Sequence, residues 1–300
     1  MILLLDIGNT RLKWLLLSSN SHNKILSAKK GSVLLSVFKS SKNSVKNNVF
    51  FEEITTNINQ IRADGRTGNS LEEGHLKQIV WICVCPKFLE KKIQPVLNEL
   101  SGEKHSKKIT TPKNGEFKFE RDWGKVILRC NYDRPSELGA DRWAALVALA
   151  YLGPPVNASP KKITEIILIS AGTATVIDRV FWSGFSEKSW LCEHKGGIIF
   201  PGFSQMQNDM KFLKKSRNKK NSTLDVHPQN TLDAIRTGIA SCQLGFQPSI
   251  HGTIVVHGGE SRKWIESYKF FYPMRSKPLE LPWLVFEGLF IISNKKEKKF

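Results

Sequence analysis

Residues 1–13 read MILLLDIGNTRLK: an apolar run, an acidic residue near its end, and a tight polar turn. A second apolar run, residues 14–17, follows, so the segment predicts a buried β-hairpin. Asp6 and the turn Gly8–Thr10 then bring a carboxylate, an amide and a hydroxyl to the tip of the hairpin. Backbone N–H groups in such a turn can form an anion-binding nest, and a carboxylate can hold the Mg²⁺ that accompanies a nucleotide. An ordinary hairpin with Gly-Asn in its turn has the same pattern.

The same arrangement recurs half a chain later. Residues 166–169 are apolar, Ser170–Thr175 are small or carry hydroxyls, and a further apolar pair leads to Asp178. Two such hairpins facing each other across a cleft would hold a polyphosphate from both sides. The repetition predicts an α/β protein of two ribonuclease-H-like domains, the actin-like ATPase fold, with an interdomain nucleotide cleft.

A third segment lies between the two hairpins. Gly139–Arg142 precedes a run of good helix formers, residues 144–150, so Asp141 and Arg142 are predicted in the first turn of a helix. A carboxylate there is stabilised by the helix N-terminus and stays ionised near neutral pH. A capping Asp beside a solvated Arg is the common alternative. The domain boundary is predicted just before Gly139, giving domains of residues 1–138 and 139–300.

Together these segments resemble the type III pantothenate kinase family, enzymes that phosphorylate pantothenate in coenzyme A synthesis. The family's Asp-x-Gly-Asn-Thr-x-x-Lys motif is met by Asp6–Lys13, and its Gly-x-Asp-Arg motif by Gly139–Arg142. Its second phosphate motif is met by Gly172–Thr175 with Asp178, one position away from the usual spacing. Further matching pieces follow in order as far as residues 284–289.

The resemblance implies ATP-dependent phosphorylation of pantothenate to 4'-phosphopantothenate, the first step of coenzyme A biosynthesis. Asp141 would be the catalytic residue that accepts the proton of the substrate hydroxyl, and Asp6 would hold Mg²⁺ with ATP. The residues implied in ATP binding are Asp6, Ile7, Gly8, Asn9, Thr10, Arg11, Leu12, Lys13 and Thr173. Those implied in pantothenate binding are Tyr132, Gly139, Ala140, Asp141, Arg142 and Thr231.

One departure from the family concerns a monovalent cation. In the family an Asp directly before the small residue and Gly of the second phosphate loop binds K⁺ or NH₄⁺, whereas this chain has Ser170 there. A hydroxyl can still ligate K⁺ but lacks the charge of a carboxylate, which leaves the cation requirement open. The resemblance also implies a homodimer.

The length, apolar content and cysteines of the chain support three further predictions. Three hundred residues with 40% apolar content suffice for two cores. The cysteines are odd in number, and Cys83 and Cys85 have no second ligand pair nearby in sequence, so we expect reduced thiols rather than a zinc site. The apolar start is too short for a leader or membrane segment, which predicts a cytoplasmic protein without membrane contact.

The predicted kinase function does not account for the formal net charge of +18. The surplus gathers in Lys211–Lys220 and Lys295–Lys299, runs that can bind nucleic acid by counterion release but are also typical of solvated loops and termini. No nucleic-acid motif accompanies them, so a nucleic-acid partner is not expected.

The alternative to a kinase is a non-catalytic regulatory relative of the same fold, an accessory factor in transcription. Such a protein need not retain Asp6, Asp141 and Arg142 together. The polar stretch 19–78 has no assigned motif.

Overall fold

The computed structural model divides into two compact units. It describes residues 1–17, 28–36, 38, 49–65, 76–101, 105–156, 158–186, 188–210, 222–245 and 252–295. Unit 1 comprises residues 1–114, 134–152 and 284–300, and unit 2 comprises residues 115–133 and 153–283. The basic segment Lys211–Lys220, most of Lys295–Lys299, and much of the polar stretch 19–78 lie outside the described residues.

Twelve strands and seven helices are found in this described part. The strands are β1 (Ile2–Ile7), β2 (Arg11–Leu17), β3 (Lys29–Leu34), β4 (Gln78–Cys83), β5 (Ser106–Lys108), β6 (Glu116–Arg121), β7 (Gly124–Cys130), β8 (Thr164–Ala171), β9 (Ala174–Ser186), β10 (Ser189–Pro201), β11 (Thr253–His257) and β12 (Leu279–Glu280). The helices are α1 (Val49–Gly65), α2 (Lys87–Ser101), α3 (Ala140–Leu152), α4 (Phe203–Asp209), α5 (Thr231–Leu244), α6 (Ser261–Phe271) and α7 (Leu284–Asn294).

Unit 1 is a five-stranded sheet covered on both faces. Its strand order is β3-β2-β1-β4-β5, with β1 antiparallel to β2 and parallel to β4. Every residue of β1 is buried, as expected for a central strand between two helical layers. Side chains of α1 and α2 share one core cluster with β1. Helices α3 and α7 pack on each other and on β4, and α7 also contacts β1.

Unit 2 repeats this topology. Its sheet has the order β12-β11-β8-β9-β10-β7-β6. Strands β8 and β9 are antiparallel, β8 and β11 are parallel, and β9 and β10 are antiparallel, so β8 to β12 reproduce the connections of β1 to β5. The β6–β7 hairpin extends the sheet beyond β10. The predicted fold class, two ribonuclease-H-like α/β domains, is therefore confirmed.

The boundary predicted before Gly139 differs from the compact units. Helix α3, which was expected to open the second half, belongs to unit 1, where it packs against α7. Ten of its residues are buried, so it needs apolar partners around most of its circumference. Chain order alone does not indicate which sheet supplies them. Within the described part of the chain, none of the helices combines the length and the hydropathy needed to span a bilayer.

Candidate active site

Asp6 and Lys13 form an ion pair at one end of the unit 1 sheet. They lie opposite each other in the β1–β2 register, and Lys13 Nζ is 3.5 Å from Asp6 Oδ2. Asp6 is buried and Lys13 is half-buried. The lysine side chain therefore turns toward the carboxylate, as a phosphate-binding role for Lys13 requires.

The β1–β2 turn is held by its own hydrogen bonds. The N–H of Gly8 donates to Arg11 O at 3.0 Å, and Thr10 O accepts from the N–H of Leu35 at 3.0 Å. Because the Gly8 N–H is engaged inside the turn, the predicted anion nest does not include it. Asn9 and Thr10 lie exposed at the tip.

Three side chains assigned to ATP binding point elsewhere. Ile7 and Leu12 pair across the hairpin and are fully buried in the unit 1 core, so their side chains cannot reach a ligand. Their assignment to ATP binding stays a prediction that only their backbone groups can meet, because a motif that alternates along a strand necessarily includes core positions. The Arg11 guanidinium donates to Ser32 Oγ on β3 at 2.9 Å.

Asp141 lies in the first turn of α3, as predicted, and its side chain folds back over the preceding residues. Its Oδ1 accepts the N–H of Arg142 at 2.8 Å. A Cβ on Gly139 would lie 2.5 Å from that same oxygen, so this position accepts only glycine without a shift of the carboxylate. Thr111 Oγ1 donates to Leu138 O at 2.8 Å and so holds the segment that leads into α3. Ala140 and Arg142 are buried beside it.

Asp6 and Asp141 influence each other electrostatically. Burial raises the pKa of Asp141, and the nearby Asp6 carboxylate raises it further, while the N–H and charge of Arg142 act in the opposite direction. The first and third predicted motifs meet at Val84, whose N–H donates to Ile7 O at 2.9 Å and whose Cγ1 would lie 3.7 Å from a Cβ on Gly139.

The carboxylate of Asp6, at the end of β1, suits a magnesium ion that arrives with a nucleotide. Mg²⁺ in such sites takes one or two carboxylates and completes its shell with phosphate oxygens and water. Among the described residues, no group of three or more His, Cys, Asp or Glu side chains could hold a metal by itself. A single carboxylate such as Asp6 is the donor that an ion of this kind takes from a protein.

The β8–β9 turn of unit 2 is the second predicted phosphate loop. The N–H of Gly172 donates to Ala174 O at 3.0 Å, and Thr173 O accepts from the N–H of Gly202 at 3.0 Å. The N–H of Glu260 donates to Ala171 O at 2.9 Å. Segments that follow β10 and β11 therefore brace the turn, and Thr173 lies exposed at its tip.

Thr175, a hydroxyl of the predicted second motif, is not available to a ligand. It is fully buried, and its Oγ1 donates to Gln243 Oε1 at 2.6 Å. Gln243 Nε2 donates in turn to Pro201 O at 2.8 Å. Thr175 therefore joins β9 to α5 within the core. Ser170 is half-buried on β8, in register with Val176.

The residues expected around pantothenate are divided between the units. Gly139, Asp141 and Arg142 lie in unit 1, whereas Tyr132 and Thr231 lie in unit 2. Tyr132 is half-buried just after β7, with its ring centroid 5.4 Å from that of His194. Thr231 is exposed as the first residue of α5.

Sequence reasoning missed the partner of Tyr132. His194 and Asp178 form a buried pair with 2.7 Å between Nε2 and Oδ1. The available signal was a histidine that alternates with the apolar Trp190 and Cys192 along one face of the strand, but nothing in the local pattern linked it to Asp178.

The five cysteines carry free thiols in the structure, so the expectation of reduced thiols stays a prediction. Cys83 ends β4 and Cys85 lies beyond the strand, yet their sulfurs are 3.1 Å apart. Burial and the neighbouring thiol raise the pKa of Cys83 to about 12.

Comparison with known proteins supports the family suggested by the motifs. Residues 104–251 match the family model described as type III pantothenate kinase. The type III pantothenate kinase of Azoarcus sp. (strain BH72) is 30% identical over 175 residues, covering 55% of this chain and 57% of that protein. The enzyme of the same name from Sulfurihydrogenibium sp. (strain YO3AOP1) is 32% identical over 133 residues, covering 43% of this chain and 44% of that protein. The chain thus spans about half the length of these relatives, and its resemblance to type III pantothenate kinases is confirmed.

One solved structure matches the fold over nearly the whole chain. A Campylobacter jejuni protein described as a Baf family transcriptional activator aligns with a TM-score of 0.51 at 17% identity, covering 97% of this chain and 98% of that one. At this identity the likeness concerns the fold alone.

Proposed function

We propose that this protein is a pantothenate kinase, which transfers the γ-phosphoryl group of ATP to the primary hydroxyl of pantothenate. The observation that supports the proposal best is that Val84 links the expected nucleotide motif to the expected substrate motif within unit 1, because its N–H donates to Ile7 O and its side chain lies beside Gly139. The match of residues 104–251 to the family model supports the same reaction.

In the proposed mechanism Asp141 accepts the proton of the attacking hydroxyl. Its raised pKa brings the carboxyl closer to the working pH, which favours proton transfer. Phosphoryl transfer passes through a loose transition state, so the orientation of the hydroxyl matters more than the basicity of Asp141. The hydrogen bond from the Arg142 N–H holds the Asp141 carboxylate in place for the substrate hydroxyl.

Charged groups of unit 1 would hold the anionic parts of both substrates. The Lys13 ammonium, turned toward Asp6, would contact the ATP phosphates as a compact positive charge. The Arg142 guanidinium would pair with the pantothenate carboxylate, for which its planar fork is suited. In unit 2, Thr173 would offer its exposed hydroxyl to phosphate, and Tyr132 and Thr231 would hydrogen-bond pantothenate.

Asp6 would hold the Mg²⁺ of Mg-ATP. When bound, this ion neutralises charge on the phosphate oxygens. The ion pair with Lys13, at 3.5 Å, holds the Asp6 carboxylate at the end of β1. We further propose a cytoplasmic homodimer, for which sedimentation equilibrium is the direct measurement.

The test is product formation. Purified protein is incubated with Mg-ATP and pantothenate, and 4'-phosphopantothenate and ADP are quantified by mass spectrometry. A pantothenate analogue with a methoxy group in place of the primary hydroxyl serves as the control. We expect equimolar ADP and product from pantothenate and neither from the analogue. Absence of product would instead support the regulatory alternative, and nucleic-acid binding that weakens steeply with salt, without ATP turnover, would favour a nucleic-acid-binding function.

A further inference from the structure

Unit 2 contains a buried ionisable pair that the proposed mechanism does not use. Asp178 on β9 and His194 on β10 are 1% and 0% exposed, and the distance from His194 Nε2 to Asp178 Oδ1 is 2.7 Å. Placing two ionisable groups in a core carries a desolvation cost that their attraction only partly offsets. The pair is therefore a poor source of stability compared with apolar residues of the same volume.

The strand geometry makes room for this pair. The β9–β10 register shifts between His194 and Gly197, and Gly197 lies opposite Asp178. A Cβ on Gly197 would lie 2.4 Å from Asp178 Oδ1, so the carboxylate occupies space that any other residue would fill. The absence of a side chain at this position lets Asp178 reach the imidazole.

His194 is also tied to the strand end that carries Tyr132. Strand β10 runs parallel to β7 with His194 opposite Cys130, and the N–H of Asn131 donates to His194 O at 3.0 Å. His194 Nδ1 lies 3.7 Å from Cys130 Sγ. The Tyr132 ring is tilted by 39° to the imidazole, at a centroid distance of 5.4 Å. The imidazole is thus held at both nitrogens while its ring contacts the tyrosine.

The charge state of His194 follows from these contacts. Burial lowers the pKa of His194, but the hydrogen bonds to Asp178 and Cys130 outweigh that effect and leave it raised. With Asp178 ionised, Nε2 carries a proton in either protonation state of the imidazole, because the carboxylate accepts only from an N–H. Asp178 therefore fixes both the tautomer and the orientation of the ring.

We propose that Asp178 and His194 are positioning residues for Tyr132, holding its ring so that the hydroxyl is oriented for the pantothenate substrate. The inference rests on the proposed function for the role of Tyr132. Neither Asp178 nor His194 touches substrate in this account. Asp178 orients His194, and His194 orients Tyr132.

A double-mutant cycle tests whether Asp178 acts through Tyr132. Asp178→Asn removes the ionic acceptor while keeping the volume, and Tyr132→Phe removes only the hydroxyl. We expect each single variant to raise the KM for pantothenate about tenfold, the equivalent of one hydrogen bond, and to leave the KM for ATP within about twofold. The double variant should be no worse than Tyr132→Phe alone, because the second change acts through a hydroxyl already lost.

A matched control separates positioning from a general loss of stability. Trp182 is buried on the same strand β9 and packs against Trp190 of β10 at 6.3 Å between ring centroids. Trp182→Phe should lower the melting temperature without moving the KM for pantothenate. Additive effects in the cycle, or an equal rise of that KM in Trp182→Phe, would overturn the positioning role.

A readout independent of catalysis distinguishes failure of this inference from failure of the proposed function. The chain has 4 tyrosines, so ¹³C-labelled tyrosine ring signals can be assigned with Tyr132→Phe. In Asp178→Asn we expect the Tyr132 signals to shift and broaden, with those signals unchanged in Trp182→Phe. Unchanged Tyr132 signals in Asp178→Asn would refute the inference even in an active kinase. A wild type with these signals in place but without product would refute only the proposed function.

Discussion

At the scale of single residues, Asp141 is a buried carboxylate that is also affected by the negative charge of Asp6. Its carboxylate is folded over Gly139, bonded to the Arg142 N–H, and placed in the field of Asp6. Burial and a like charge both disfavour the ionised form, which is the form that accepts a proton. A residue that is useful for catalysis and unfavourable for folding is expected at an active site.

We therefore predict that Asp141→Asn raises the melting temperature at pH 7.5 while it reduces phosphoryl transfer. A carboxyl whose pKa is raised in the folded state destabilises that state above this pKa, and the penalty disappears below the unfolded value of about 3.9. The gain in melting temperature should accordingly shrink as the pH falls from 7.5 toward 4.5. Calorimetric melts of both proteins across this range measure it, and a variant less stable than wild type at pH 7.5 would contradict the assignment.

Ser170 offers a second prediction at this scale. A hydroxyl adds only a dipole to the shell of a monovalent cation, whereas a carboxylate adds a full charge. We expect the wild type to respond weakly to K⁺ or NH₄⁺ in place of Na⁺, and Ser170→Asp to create or strengthen the response. Activity titrated with each salt tests this. Strong K⁺ activation of the wild type that is unchanged in Ser170→Asp would show that other oxygens bind the ion.

At the scale of elements, the two hairpins and the start of α3 could be predicted from the sequence, because apolar runs, small-residue turns and helix formers are local signals. The packing of α3 in unit 1 could not, since its partner α7 lies more than a hundred residues later in the chain. The burial of Thr175 was missed for the same reason, because its partner Gln243 lies 68 residues later in the chain. The pairing of Asp178 with His194 was missed because it depends on the register shift between the neighbouring strands β9 and β10.

The α3–α7 contact leads to a prediction of stability. Leu289 of α7 is fully buried, so Leu289→Ala should lower the free energy of unfolding by about 2–5 kcal/mol through lost burial and a residual cavity. Leu279→Ala, at a half-exposed position on β12, should change it by less than about 1 kcal/mol. Denaturant unfolding of the two variants compares them directly. Equal losses would mean that α7 does not complete the unit 1 core.

At the scale of the whole molecule, one topology is used twice. The order of β1 to β5 recurs in β8 to β12, and a short hairpin turn follows the first strand of each set. The additions to this plan differ between the units: α3 and α7 complete unit 1, whereas the β6–β7 hairpin extends the sheet of unit 2. That hairpin leads into Tyr132, so a segment outside the repeated topology contains one of the residues proposed to bind pantothenate.

The central claim is that Asp141 accepts a proton during phosphoryl transfer to pantothenate. Its most direct test is a single-turnover measurement of the transfer of labelled γ-phosphate from Mg-ATP to pantothenate, in wild type and in Asp141→Asn, with both substrates shown by calorimetry to be bound. General-base catalysis contributes about 10²–10⁴-fold to a rate, so the variant should transfer phosphate at least about 100-fold more slowly. A rate within about threefold of wild type, with both substrates bound, would contradict the account.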